Sequence, residues 1–229
     1  MRSKAFSNPL SRTGQTGQSA TEFVIIVPVL FTLIFGCIQF ALIYQAKTAL
    51  HYAVFNAVRI GATNGATLES VHRGFAIGMA PFYTYDDDAF EVTTAVERVQ
   101  THMDEGLFIF ERLNPTPEAF LDFSEDVDPD TGWSYIPNDN LMYRDATMGF
   151  SSRLNVQDAN LLKVSVTYCY PLSFPFINVI IGAAVETTTA LGVTCNSLSE
   201  NTWPFQPSIP ITATSLVRMQ SDILQDPSW

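Results

Sequence analysis

The chain is short of positive charge, of histidine and of cysteine. Of its 229 residues, 12 are Lys or Arg and 23 are Asp or Glu, and three of the basic ones, Arg2, Lys4 and Arg12, fall before Gly17. Beyond Gly17, nine basic residues face 23 acidic ones. A surface of that sign repels phosphate backbones instead of releasing their counterions, so no nucleic-acid partner is expected. The excess acid suits solubility in an aqueous compartment, or the choice of basic partners. The three histidines, His51, His72 and His102, are scattered and show no zinc-protease spacing. No nucleophile elbow, phosphate loop or internal repeat is present, so neither an enzyme activity nor a cofactor is expected.

Charge is missing altogether from Phe23 to Ala46, a run of 24 residues inside GQSATEFVIIVPVLFTLIFGCIQFALIYQAK. As a helix that run reaches about 36 Å, enough to cross a hydrocarbon core with some tilt. The leader before it is basic and the long remainder acidic, which predicts one span with the amino terminus inside and the rest exported. Pro28 lacks an amide hydrogen and should kink the span. Beyond it, Ala49, Leu50, Ala53, Val54, Ala57 and Ile60 recur every three to four residues, an apolar stripe that predicts continuation of the helix against its own core. Gly61 and Asn64-Gly65 should stop it.

A lone carboxylate, Glu22, stands at the mouth of the run, where it must reach the interface or find a partner. An ordinary interfacial glutamate fits that position. So does another reading: Glu22 is the fifth residue after Gly17, whereas the fifth after Gly14 is Ser19. Here the sequence resembles the type IV pilin signal, in which a prepilin peptidase cuts after a glycine and the fifth mature residue is glutamate. Ala20-Thr-Glu-Phe-Val-Ile-Ile-Val-Pro-Val-Leu, then Gly36, Gln39-Phe40, Tyr44, Ala49-Leu50, Asn56-Ala57, Arg59 and Gly61-Ala62, is similar to the amino-terminal block of TadE-like proteins. These are minor pilins, or pseudopilins, of the tight-adherence system that builds Flp-type pili. The resemblance covers roughly residues 17–62. A weaker echo runs from Pro210 to Gln220, where such proteins often finish with a strand.

The resemblance implies a leader at 1–17 cut between Gly17 and Gln18, and a retained transmembrane and pilin-like helix at 18–62. An exported domain would follow at 63–229, in which 85–160 matches nothing and is an insertion candidate. Glu22 becomes the assembly charge, meeting the free amino group of a subunit. That ammonium, on Gln18, would lie one helical turn away and offset the burial of both charges. The implied partners are a prepilin peptidase, the major Flp-type pilin, other minor pilins including a paired pseudopilin, the inner-membrane pilus assembly machinery and membrane lipid. The implied location is the inner membrane, with the domain periplasmic or in the extracellular pilus. Two other anchors fit the same stretch. Leu33-Ile34-Phe35-Gly36-Cys37 has the Gly-Cys step of a lipoprotein, with a bulky Phe35 against it. A cleaved secretory signal lacks a small-x-small site. The rival function is a membrane-anchored exported ligand- or calcium-binding protein unrelated to pili.

In the exported part, Cys169 and Cys195 form an even pair, most simply a disulfide in an oxidising space. Asp126, Asp128 and Asp130 alternate before Gly132, and Asp86 to Asp88 form a run. Such carboxylates suit calcium, but Thr131 and Pro137 occupy the sixth and twelfth positions where an EF-hand needs Gly and Glu, and Asp-Pro-Asp-Thr-Gly is also an ordinary turn. A helix is expected over Thr67–Met79, ended by Pro81. Strands are expected over Glu91–Glu97, Leu161–Tyr168, Ala184–Cys195 and Ile211–Met219. The fold class is α+β, a long membrane-spanning helix continuing into a domain whose antiparallel sheet is laid on the helix.

Overall fold

The structure, a computed structural model, describes residues 16–84, 90–172, 195 and 208–229. Helix α1 runs from Thr16 to Gly61 without interruption, carrying Pro28 inside it. The Thr32 hydroxyl donates to the Pro28 carbonyl at 2.8 Å. Within its most apolar 18 residues only 6% are buried, and Phe23, Ile25 and Phe40 are each about two-thirds exposed. Further on the same helix turns inward: Leu50, Ala53, Val54, Ala57 and Val58 are fully buried. The expected stripe is therefore core, with Ala49 and Ile60 at its half-buried margins. Ala66 donates back to the Gly61 carbonyl, and Gly65 turns the chain at φ +69°, a region that glycine enters without a Cβ clash.

Helix α2, Leu68–Met79, lies where expected. Its cap is Thr67, whose hydroxyl accepts from the Ser70 amide, and a 3-10 turn at Ala80–Phe82 holds Pro81. Val71, Phe75 and Met79 fill the core. Gly74 and Gly78 let α2 approach α1 closely. A Cβ on Gly74 would stand 2.9 Å from the Ala57 Cα, and one on Gly78 would stand 2.7 Å from the Ala53 Cα. Small residues four apart on each helix thus set the crossing.

Glu91–Glu97, expected as a strand, is instead the start of helix α3, Glu91–Asp104. The buried residues are Glu91, Ala95 and Val99, a spacing of four. Val92, Thr94 and Val96 alternate over too few residues to outweigh it. Arg98 reaches back two turns to Glu91 at 2.5 Å.

The main sheet orders β1 (Phe108–Asn114), β4 (Leu161–Pro171) and β5 (Ser208–Arg218), all antiparallel, with β4 central. Eleven residue pairs join β4 to β5, from Leu161↔Arg218 to Pro171↔Ser208. Leu162, Val164, Val166 and Tyr168 are buried on one face of β4, as their alternation requires. Ser165 and Thr167 on the other face are buried as well, meeting Thr214 and Thr212 through their hydroxyls. On β5 the same face is open, with Thr212 and Thr214 exposed, so Ser165 and Thr167 are covered by the side chains beside them on the neighbouring strands. Both β4 and β5 lie against α1, so the sheet is laid on the helix as expected. The strand expected over Ala184–Cys195 lies outside the described residues, apart from Cys195.

Between β1 and β4 come α4 (Pro117–Phe123), β2 (Asp126–Val127), β3 (Ser134–Ile136) and α5 (Val156–Ala159). A second, small sheet orders β2, β3 and β6 (Ile223–Leu224). The last residues wrap the junction of α1 and α2. Gln220 donates to the Ala62 carbonyl and Leu224 to that of Gly65, each at 2.9 Å, and the Trp229 indole donates to the Ala66 carbonyl.

Candidate functional site

Gly17 and Gln18 lie in the first turn of α1, and Glu22 one turn further on, exposed on the same uninterrupted helix. A spacing of four puts positions 18 and 22 on one helix face, with about 6 Å of rise between them. Cys37 is an exposed thiol halfway along the apolar part, with helix on both sides.

The half of α1 that packs on the domain has a second, outward face. Tyr44, Thr48, His51, Tyr52, Phe55 and Arg59 recur at three- and four-residue steps and are all exposed. Tyr44 is 74%, Tyr52 59% and Phe55 48% accessible.

Across the domain, α4 and the loop after β3 build an acidic corner. The Asp122 carboxylate accepts from the Ser151 amide and from the amide and hydroxyl of Ser152, which fixes the turn at 149–153. The hydrogen bond from the Ser152 amide is the largest cause holding Asp122 below the usual carboxylate range. Arg144 bridges Glu125 at 2.5 Å and Asp139 at 2.6 Å, while the Gln157 amide donates to the carbonyls of Leu141 and Arg144. A cleft of about 330 Å³ opens among Asp122, Ser124, Glu125, Arg144, Thr147 and Val156.

A third polar cluster sits under the chain end. The Arg112 guanidinium lies 5.2 Å from the Phe120 ring centre and 5.3 Å from that of Trp229, a stacked cation between two aromatic faces. Burial pulls its pKa down to about 10, against the opposing field of Asp226. Burial of Asp226 would raise its own pKa, but the Leu68 and Ser228 amides and Arg112 carry it below the usual carboxylate range. Asp226 accepts from the Leu68 amide at 2.7 Å, placing a carboxylate on the amino end of α2. Nothing in the sequence pattern marked Arg112, Asp226 or the 141–150 loop. Their partners are far apart in the chain, and only the spacing Gly74-x-x-x-Gly78 against Ala53-x-x-x-Ala57 offered a readable signal of this half of the fold.

The three histidines stand apart. His51 is on the outward face of α1. His72 is half-buried against Phe110 at 4.3 Å, and burial lowers its pKa against the pull of Asp104. His102 pairs with Glu105 on α3. Asp128 is spent on a turn, accepting from the amide and hydroxyl of Thr131. Asp126 opens β2 and Asp130 is exposed in the turn beyond Asp128. Among the described residues, no three of His, Cys, Asp or Glu are grouped to hold a metal.

The expected disulfide is present: Cys169 on β4 is joined to Cys195, with 5.3 Å between their Cα atoms. The Ser208 hydroxyl donates to the Cys195 carbonyl, so the bridge also anchors the start of β5.

With this geometry in place, the comparisons fall on one element. Residues 17–59 match the family model described as TadE-like protein. The match spans about a fifth of the chain and lies within α1, running from its second residue almost to its end. It ties this helix to proteins of Tad pilus systems. Neither a curated protein nor a solved structure matches the chain.

Proposed function

We propose that this protein is a minor pilin or pseudopilin of a Tad, Flp-type pilus, held in the inner membrane by α1 and processed by a prepilin peptidase between Gly17 and Gln18. The observation that carries the reading is the coincidence of the TadE-like match at 17–59 with a single helix whose first half is apolar and largely exposed and whose second half is core. An apolar helix surface left this exposed among the described residues is suited to lipid or other subunits around it. Glu22, at the start of that surface, is the charge that the mature amino group of Gln18 would neutralise during assembly. The basic leader stays inside and the acidic domain faces the periplasm or the pilus exterior. Its partners are the prepilin peptidase, the major pilin, other minor pilins and the membrane assembly machinery; its role is structural.

The test is the mass of the mature chain from cells with and without the prepilin peptidase, for wild type and Gly17→Ala. Peptidase-dependent loss of residues 1–17, blocked by the substitution, supports the reading. An uncut chain leaves an anchored exported domain outside the pilus pathway, and a lipid-modified terminus at Cys37 makes it a lipoprotein.

A further inference from the structure

Charge is partitioned sharply in this molecule. From Phe23 to Gly61, α1 carries Lys47 and Arg59 and no carboxylate, while the 168 residues beyond Gly61 hold seven basic and 22 acidic residues. The outward face of α1 is the aromatic and cationic side of the molecule: Tyr44, Tyr52 and Phe55 exposed, with Lys47 and Arg59 exposed beside them. No described salt bridge takes either cation.

The acidic corner presents the opposite surface. Phe150 is 97%, Met142 88%, Tyr143 86%, Leu121 78% and Met148 70% exposed. Large side chains left this open on an exported domain are unusual as a group and mark an interaction surface. Their loop is already held in shape. Asp122 clamps the 149–153 turn, Arg144 ties the loop to Glu125, and the Asp145 carboxylate accepts from the Thr147 amide and hydroxyl. Both clamps start from one five-residue stretch, Leu121–Glu125, so the apolar side chains stand on one framed corner and need little ordering on contact. The frame is acidic: Asp122, Glu125, Asp139 and Asp145 outnumber Arg144 and Arg153.

We propose that this framed corner docks on the outward face of α1 of a second copy of the chain. Like charge disfavours either face meeting itself, because two acidic corners or two cationic helix faces would repel. Corner against helix face pairs apolar with aromatic surface and acid with Lys47 and Arg59. Aromatic side chains bury about 150–250 Å² each. Tyr143 and Phe150, with Leu121 and two methionines, therefore approach the roughly 800 Å² per partner of a standard interface. The two surfaces differ, so a pair joined by one such contact still offers one free corner on one copy and one free helix face on the other, through which the contact propagates head to tail. It uses only the domain and the domain-packed half of α1, and so does not depend on cleavage at Gly17.

The test is disulfide trapping in native membranes, with the full chain in a Cys37→Ser background and in cells with and without the prepilin peptidase. A Phe55→Cys chain is co-produced with a differently tagged Phe150→Cys chain; Phe90→Cys, another exposed aromatic, replaces Phe150→Cys as control. We expect mixed dimers at about tenfold or more over the control, the ratio that corresponds to about 1.4 kcal/mol of preference. One chain carrying both cysteines should give a ladder of multimers, and Lys47→Glu with Arg59→Glu should suppress it. An intact Cys169–Cys195 bridge in each variant, read by mass, reports folding. Trapping that is only homotypic, 55 to 55 or 150 to 150, overturns the proposal. So do mixed products no higher than the control, and a position 150 that is trapped solely by another protein. Loss of the contact in both strains refutes this interface alone, whereas a missing cut with trapping intact refutes the pilin pathway alone.

Discussion

The two halves of α1 have similar side chains and opposite surroundings. Leu30 and Phe31 near its start are about half exposed; Leu50 and Val54 further along are fully buried. One helix thus has two kinds of surroundings. In the second half, the apolar stripe is covered by α2, β4 and β5 of the same chain, and its burial stabilises the domain. In the first half the described residues leave most of that surface exposed, with Gln39 a buried exception. Apolar periodicity alone does not distinguish these uses; the absence of charge over a membrane's thickness does.

Truncating the same residue type in each half separates the two most strongly. Leu50→Ala should destabilise the domain by about 3 kcal/mol, through lost burial and the cavity left behind. Leu30→Ala should leave the domain's thermal unfolding unchanged in detergent; an equal loss from both would mean that the halves are not distinct. Removing the Cys169–Cys195 bridge by Cys195→Ser should cost about 2–3 kcal/mol under oxidising conditions, by freeing the unfolded chain between two cysteines 26 positions apart, one of them on the central strand β4. An unchanged midpoint would show that the bridge adds nothing to stability. Gly78→Ala should cost about 2 kcal/mol, since its Cβ would stand 2.7 Å from the Ala53 backbone and must push α2 away from α1.

The smallest effect concerns pH. Burial holds the His72 pKa below its ordinary value of about 6.5. The unfolded chain therefore binds this proton more readily than the folded one. The stability that neutral His72 contributes is present above about pH 6.5 and declines as pH falls from there toward the lower folded value. Unfolding midpoints between pH 7.5 and 5.5 should fall less in His72→Gln than in wild type, and identical slopes would rule out His72 as the source. Loss of Asp226 and Asp122 contacts follows only at lower pH, since both carboxylates are already shifted below the usual range.

Local patterns made much of the fold legible. The uncharged run, the alanine stripe, Thr67 before an apolar helix and the alternation along β4 each report a neighbour a few residues away. Glu91–Glu97 reads as a strand because the alternation of Val92, Thr94 and Val96 spans only about one and a half helical turns, too short to reveal the buried positions four apart. The first β-strand of the sheet, Phe108–Asn114, escaped notice for a related reason: its charged Glu111 and Arg112 obscure the period, yet Arg112 is accommodated by stacking between Phe120 and Trp229. The acidic corner was invisible as a surface, because exposed methionines and aromatics in a loop read simply as apolar residues awaiting burial.

By itself the sequence determined the long uncharged helix, its continuation into a domain, the sign of that domain's charge and the identity of two sheet strands, since all of these depend on the order and spacing of neighbouring residues. Only the tertiary structure decided which apolar side chains stay uncovered, how the residues from 219 onward lock the α1–α2 junction through Asp226 and Trp229, and that Asp122 and Arg144 hold the 141–150 loop with Met142, Tyr143 and Phe150 exposed. Those outcomes rest on contacts between residues tens to more than a hundred positions apart, whose distance in space no local pattern encodes.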